Sequence, residues 1–143
     1  MATTGLSVFD TTIQETNNWL NDISKELGDP RKNVAYHALR GVLFALRDRL
    51  PVDELFDLTA QMPLLIRGIF FEGYHPKGKP VKFHKDEFFQ KVSKEMQSTG
   101  KVNPELATKA VFKVLNKYIS IGESEDVRGM LTKDLREMWS QNV

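Results

Sequence analysis

Cysteine is absent from this 143-residue sequence, which excludes disulfides, thiolate metal sites and cysteine nucleophiles. Net charge is also nearly absent, because 20 Lys and Arg balance 19 Asp and Glu to leave +1. No whole-molecule field therefore favours nucleic acid or an anionic membrane. The longest apolar runs, GVLFAL and PLLI, are far shorter than the roughly 20 residues that cross a bilayer, and the start, MATTGLSVFD, has no secretory signal. We expect a cytoplasmic protein with no membrane partner.

The composition that remains is that of one folded domain. Hydrophobic residues make up 41% of the chain and charged residues 27%, values typical of globular proteins rather than disordered ones. Apolar residues recur at helical spacing from Phe9 to Leu27, where Gly28 suits a helix end. No stretch alternates for long enough to predict a sheet, so the predicted class is all-α.

A second helix is predicted to run from Asp29-Pro30, an N-cap followed by proline at the first helical position, to Leu50. Its apolar residues cover about half of the circumference, which indicates a central helix contacted by several others. Further helix starts are predicted at Asp53, Pro63, Asn103-Pro104, Ser124 and Thr132.

The segment GYHPKGKPVKFHK, residues 73–85, holds two glycines and two prolines and is the one predicted linker. The sequence repeats faintly on either side of it. WLNDISKEL matches FFQKVSKEM with Trp19 against Phe88, an offset of 69 residues, and Ala35 matches Ala107 at an offset of 72.

This repetition predicts a compact helical bundle, a single domain over residues 1–143. It would consist of two pseudo-repeats of three to four helices each, at about 8–72 and 86–140. The two would bury their apolar faces against each other, so that neither half folds well alone.

The stretch AYHALRGVLFALRDRLP, the AQMP segment and LIRGIFFEGY resemble a bacterial family of uncharacterised helical proteins, DUF2267. The resemblance covers most of the chain, and Met62 stands where the family usually has leucine. It implies a small helical bacterial protein and transfers no activity, ligand or catalytic residue. The matching positions are Ala35, Tyr36, Ala38, Leu39, Arg40, Leu46, Arg47, Asp48, Arg49, Leu50, Ala60, Gln61, Pro63, Arg67, Gly68, Glu72, Gly73 and Tyr74.

Three polar residues form a candidate anion-binding site on the second helix. Tyr36, Arg40 and Arg47 fall within ~40° of one another, beside the apolar face. Guanidinium groups offer planar, forked donors that suit a carboxylate or a phosphate. Alternatively, the two arginines form ion pairs with carboxylates of neighbouring helices. The acidic residues considered for such pairs are Asp53, Asp57 and Glu72.

Arg49 falls on the apolar arc of the same helix, between Ala38 and Val42. A buried guanidinium is costly unless it is paired and hydrogen-bonded. We therefore expect a specific acidic or carbonyl partner for Arg49, or a head group that leaves the core past the nearby helix end.

The linker carries a basic patch of Lys77, Lys79, Lys82 and Lys85, with no acidic residue among them. Lysines neutralise phosphates and nearby aromatic rings stack on bases, so nucleic acid is a possible partner. We do not favour it, because a phosphate track normally extends beyond one loop. The alternative is a solvated connection with Phe83 packed into the bundle.

Phe44 lies opposite the apolar arc of the second helix, and we expect it to be exposed. Together with Phe71 and Tyr74 it forms a candidate contact surface for an unknown protein partner or for self-association. Scattered exposure of these rings without a partner is the alternative.

Neither a metal site nor a cofactor is predicted. His75 and His84 match no metal-ligand spacing. The acidic residues Glu123, Glu125 and Asp126 are interpreted as charges at a helix N-terminus, where they complement the macrodipole, rather than as a calcium loop.

The chain also has no GxSxG elbow, phosphate-binding glycine loop or HExxH motif, so a catalytic role is not favoured. We favour a non-catalytic protein-interaction or scaffold module. Two alternatives stay open: weak binding of nucleic acid or another anion through residues 73–85, and a small enzyme with an anion pocket at Arg40 and Arg47.

Overall fold

The fold consists of helices in the part of the chain that the computed structural model describes, residues 3–100 and 102–139. The all-α prediction is confirmed for these residues, which form eight α-helices and a short 3-10 turn, Gln97–Thr99, and no strand. None of these helices combines the length and the hydropathy that spanning a bilayer requires. In chain order the helices are α1 Ser7–Leu27, α2 Lys32–Arg49, α3 Val52–Thr59, α4 Leu64–Phe71, α5 Lys85–Glu95, α6 Pro104–Tyr118, α7 Ile121–Gly129 and α8 Lys133–Arg136.

Helix α2 lies at the centre of the molecule, because apolar or small residues cover most of its circumference. Val34, Leu39 and Val42 are completely buried, and α1, α4, α5 and α6 all pack against this helix. A glycine permits a close approach to α5: a Cβ atom at Gly41 would lie 3.2 Å from the carbonyl oxygen of Val92. The prediction of a central helix contacted by several neighbours is confirmed.

Aromatic residues from both ends of the sequence meet in one core. Trp19 of α1 stacks on Tyr118 of α6, with ring centroids 4.9 Å apart. Phe112 of α6 contacts both Phe88 of α5 and Trp139. The two halves of the chain therefore share their apolar interior and gain burial from each other.

Two predicted helix ends are confirmed with the expected chemistry. Gly28 ends α1 in the left-handed conformation, at φ 67°, and its N–H donates to the carbonyl of Lys25. Asn103 caps α6, because its side-chain oxygen accepts from the N–H of Glu105, and Pro104 takes the first helical position.

The predicted start of α2 at Asp29-Pro30 is wrong, since the helix begins at Lys32. The carboxylate of Asp29 accepts from the backbone N–H and the guanidinium of Arg31. These local bonds hold the acidic side chain outside the helix and move the start two residues onward.

Two other predicted caps lie inside helices. Asp53 is in the first turn of α3. Ser124 lies within α7, whose N-cap is Ser120, the residue that accepts from the N–H of Glu123. The hydroxyl of Ser124 instead donates to the side-chain oxygen of Asn116. The same hydroxyl oxygen accepts from the indole N–H of Trp139 at 2.9 Å. This serine joins the core rather than starting a helix.

The connection between α4 and α5, residues 72–84, contains no helix but is attached to the bundle. The N–H of Val81 donates to the carbonyl oxygen of Asp48 at 2.8 Å. Phe83 is buried with its ring centroid 6.1 Å from that of Phe88. The packing of Phe83 into the bundle is therefore confirmed, and Lys85 is the first residue of α5.

Candidate functional site

One side of α2 carries alternating aromatic and guanidinium groups, which we call the arginine–aromatic ladder: Tyr36, Arg40, Phe44 and Arg47. Positions three and four residues apart on a helix lie next to each other, so its members fall in a row. The guanidinium carbons of Arg40 and Arg47 lie 4.7 and 4.0 Å from the centroid of Phe44. Arg47 also lies 5.6 Å from the ring of Tyr74. These spacings are those of cation–π contacts.

Every nitrogen of the Arg40 guanidinium has a partner. Its Nη2 donates to Oε1 of Glu72 at 2.9 Å, its Nε to Oε2 of Glu95 at 3.3 Å, and its Nη1 to the hydroxyl of Tyr36 at 3.2 Å. The bond to Glu72 raises the pKa of Arg40 above its usual range, with desolvation opposing it. These contacts favour the ion-pair alternative for Arg40, with Glu72 among the expected acids and Glu95 as an additional one.

Arg47 is buried, 8% exposed, and ties α2 to the end of α4. Its Nη1 donates to the carbonyl oxygens of Phe70 and Glu72, both at 2.7 Å. The last carbonyls of a helix lack partners within the helix, so this guanidinium stabilises the C-terminus of α4. Burial lowers the pKa of Arg47, although Asp48 opposes this. Its Nε has no hydrogen-bond partner among the described residues.

A surface pocket of about 360 Å³ lies beside the ladder. It brings the predicted anion site next to the linker, because Asp48 at its edge contacts Lys91 at 3.3 Å and the linker residue Lys79 at 3.9 Å. The lining residues are Phe44, Arg47, Asp48, Lys91, Lys94 and Glu95. Three cations and two carboxylates give this pocket a small positive excess.

The other linker lysines do not join this pocket. Lys77 and Lys82 are exposed and form no ion pair within the described residues. Lys85 begins α5, and its backbone N–H donates to the carboxylate of Asp134 at 3.0 Å. The basic patch is thus divided among different surroundings, and the anion-binding role of its lysines stays a prediction.

The aromatic surface differs from the expectation in one residue. Phe44 is half-buried between two guanidiniums rather than exposed. Phe71 and Tyr74 are also half-buried and contact each other. Phe56 of α3 is 62% exposed, and its ring lies 5.9 Å from the ring of Phe71. We call Phe56, Phe71 and Tyr74 the aromatic patch.

The position of Phe56 follows from the register of α3. Glu54, Leu55, Leu58 and Thr59 are its buried residues, and they leave Phe56 on the solvent side.

One of the two outcomes expected for Arg49, a specific acidic or carbonyl partner, is not observed within the described residues. Arg49 is 7% exposed, yet within residues 3–100 and 102–139 its guanidinium has neither the acidic nor the carbonyl partner that we expected. Burial accordingly lowers the pKa of Arg49.

A cluster of carboxylates between α3 and α7 was not recognised as a unit from the sequence. Oxygens of Glu54, Glu123 and Asp126 lie within 4.8 Å of one another. Burial, followed by the effects of Glu54 and Asp126, raises the pKa of Glu123 to about 8. Glu123 does lie in the first turn of α7, as its interpretation as a helix-terminal charge requires. The signal that the sequence offers for the cluster is a shared spacing, Glu54 with Asp57 and Glu123 with Asp126.

All of the site residues described above lie within the part of the chain that matches a known protein family. A family model described as "Uncharacterized conserved protein (DUF2267)" matches residues 16–138. No curated protein shows significant sequence similarity to the chain.

Proposed function

The chain belongs to the family of uncharacterized conserved proteins DUF2267, and from this premise we propose that it is a non-catalytic protein-interaction module whose contact surface is the aromatic patch. The observation that carries the proposal is Phe56, an aromatic ring 62% exposed and in contact with a second ring. Aromatic residues are enriched at protein interfaces, where covering their apolar surface contributes to affinity.

The patch is held in place before any partner binds. The ring of Phe71 contacts both Phe70 and Tyr74, and Tyr74 lies against Arg47 of the ladder. A surface whose side chains are already ordered loses little conformational entropy on binding. The ladder would therefore act as the support of the contact surface rather than as the surface itself.

The scaffold part of the proposal is that α1–α4 and α5–α8 are two pseudo-repeats. The helix ends support it. Leu50 after α2 has φ −99° and ψ 149°, and Ile119 after α6 has φ −96° and ψ 160°. The next residues, Pro51 and Ser120, also share their conformation. Each pair is separated by 69 positions.

Two arginines support the same relation. Nη2 of Arg67 donates to the carbonyl of Met62 at 3.2 Å, and Nη2 of Arg136 donates to the carbonyl of Leu131 at 3.0 Å. These pairs again differ by 69 positions. A constant offset of 69 therefore relates the two halves better than a drift to 72.

Site-specific photo-crosslinking tests the interaction surface. The full chain carrying p-benzoylphenylalanine at Phe56 is expressed in the cells that encode it and irradiated. The matched control carries the same probe at Leu106, an exposed apolar residue of α6. We expect a discrete adduct from position 56 that position 106 does not give.

The mass of the adduct identifies the class of partner. An adduct of twice the chain mass, together with a dimer in sedimentation velocity, supports self-association, and one other protein supports a heterologous partner. Identical adducts from both positions, or no adduct from position 56, would contradict the proposal.

An alternative function is weak binding of nucleic acid or another anion through the linker. It is supported by Lys77 and Lys82, whose charges are exposed and unpaired within the described residues. It predicts steeply salt-dependent binding of a single-stranded oligonucleotide, lost when Lys77, Lys79, Lys82 and Lys85 are all replaced by glutamine. Fluorescence anisotropy measures this, and undiminished binding by the quadruple variant would exclude it.

A further inference from the structure

Two helices from opposite halves of the chain carry the same pair of acidic residues. α3 has Glu54 and Asp57, and α7 has Glu123 and Asp126, so each helix places a glutamate and an aspartate three residues apart, on one side. α3 packs against α7. Carboxylate oxygens of Glu54, Glu123 and Asp126 all lie within 4.8 Å of one another. Three negative groups therefore converge on one place from two helices.

Two of these carboxylates are deeply buried and incompletely hydrogen-bonded. Glu54 is 6% exposed and Glu123 is 7% exposed. The Oε2 atom of each is buried and has no hydrogen-bond partner among the described residues. Buried polar atoms nearly always have a partner, and a buried charge without one is costly. Both glutamates belong to the group of residues whose carboxylate oxygens converge, so a group bound between them would supply a missing partner.

The described residues of the protein supply no cation that pairs with these carboxylates. None of the ion pairs formed within residues 3–100 and 102–139 involves Glu54, Glu123 or Asp126. Asp57 adds further negative charge close to Glu123. A positive group from solution would therefore be attracted to the cluster and bonded by it.

We propose that Glu54, Glu123 and Asp126 form a binding site for a hard divalent cation of the Ca²⁺, Mn²⁺ or Mg²⁺ class, which joins α3 to α7. Carboxylate oxygens without nitrogen or sulfur donors suit such hard cations. Oxygens on opposite sides of a Ca²⁺ ion, each about 2.4 Å from it, are separated by about 4.8 Å, so the observed spacing of the carboxylates fits. This proposal does not depend on the aromatic patch.

A proton is the competing occupant of the same place. A proton shared between Glu54 and Glu123 would also remove the repulsion between them. The two occupants differ in what they require: a cation needs the carboxylate of Asp126 and responds to added metal, whereas a shared proton needs only the two glutamates. A titration with metal ions therefore distinguishes a bound cation from a shared proton.

Calorimetric titration of the full, metal-free chain tests the proposal. The protein is treated with a chelator, dialysed, and titrated with CaCl₂, MnCl₂ or MgCl₂ in mildly alkaline buffer. We expect one ion per chain for at least one of these metals, with a Kd on the order of 10⁻⁵ to 10⁻³ M for a partly preformed site. Glu123→Gln removes a ligand and should weaken binding at least about tenfold.

The matched control is Glu125→Gln, which removes the same charge from an exposed position of the same helix. It should bind like the unmodified chain. Asp126→Asn provides a second test at an exposed ligand, where folding is not at risk, and it should lose binding as Glu123→Gln does. The melting temperature should rise with the bound ion in the unmodified chain and in Glu125→Gln, and in neither ligand variant.

Three results would overturn the proposal. The first is no heat and no rise in melting temperature with any of the three ions. The second is equal weakening by Glu125→Gln, which would mean attraction to general negative charge. The third is unchanged binding in both Glu123→Gln and Asp126→Asn, which would place the ion elsewhere.

Discussion

The molecule buries charge in two regions that treat it differently. In the arginine–aromatic ladder, Arg47 donates to two carbonyl oxygens and lies on the ring of Phe44. In the carboxylate cluster, Glu54 and Glu123 are buried to a similar degree, yet no ion pair formed within the described residues involves either carboxylate. Burial alone therefore does not say what a charged residue does. Its set of partners does.

The two regions differ in whether protein groups compensate the buried charge. A buried charge whose partners are all protein groups is part of the folded framework, and removing it leaves those partners unsatisfied. A buried charge without protein partners must take up something from solution, a proton or a cation, or weaken the fold. Arg47 belongs with the first kind through the two carbonyl partners of its Nη1, although its Nε has no hydrogen bond within the described residues. The cluster is of the second kind.

The largest expected effect is at Arg47. Arg47→Met keeps most of the side-chain volume but leaves the carbonyls of Phe70 and Glu72 without their donor. We expect a loss of about 3–5 kcal/mol in the free energy of unfolding, measured by urea denaturation. The control Arg31→Met removes an exposed ion pair and should leave stability unchanged. Equal effects of the two changes would break the comparison.

The next effect has the opposite sign. With chelator present, Glu123→Gln should stabilise the chain at alkaline pH by on the order of 2 kcal/mol, because it removes a buried carboxylate that faces another. The pKa of Glu123 is raised from 4.5 to about 8 in the folded protein. Between these values the folded state holds a proton that the unfolded state has lost, so the stability of the unmodified chain falls as the pH rises.

Thermal denaturation across that pH range measures this effect. The variant should show a flatter dependence, and the two proteins should become equal below the lower pKa. A variant that is less stable than the unmodified chain at alkaline pH would show that the carboxylate has a stabilising partner.

A smaller effect is expected from the ring between the two guanidiniums. Phe44→Leu removes the cation–π contacts with Arg40 and Arg47 and should cost about 1 kcal/mol more than Phe89→Leu. Phe89 is a half-buried ring of α5 that packs on the core. Chemical denaturation of both variants gives the difference in their free energies of unfolding. A difference of zero would mean that the cation–π contacts of Phe44 do not stabilise the fold.

The smallest effect is expected where charge is neither buried nor paired. Replacing Lys77 and Lys82 together by glutamine should change the free energy of unfolding by less than about 0.5 kcal/mol. The same denaturation assay measures it. A larger loss would mean that these exposed lysines have a structural partner.

The sequence predicts those features of the two regions that are set by the spacing of residues within a single helix. The row of Tyr36, Arg40 and Arg47 follows from helical spacing, and Glu72 is near enough in the chain to be considered as a partner. The exposure of Phe44 is predicted wrongly because the guanidinium groups of two neighbouring arginines cover its ring. Helical periodicity shows on which side of the helix a residue lies, but not how far a long side chain extends over its neighbours.

The carboxylate cluster is formed by two helices, so the residue pattern within either helix does not predict it. Glu54 and Glu123 are 69 positions apart, and each by itself has the usual acidic character of a helix start. Only the packing of α3 against α7 brings them together. The surroundings of Arg49 are equally a matter of tertiary packing, and its expected partner is not found among the described residues.

Because residues 72–84 are attached to the bundle at both ends, the fold should tolerate a break in the backbone between these attachments. The segment is attached near its start through the carbonyl of Glu72 and near its end through Val81 and Phe83, with the turn at Gly78 between these attachments. A protease that nicked the backbone at this turn would not release two separate pieces. Since α2 packs on both α5 and α6 across the break, the fragments would remain joined as a non-covalent pair, and new termini or an inserted domain could be accommodated there.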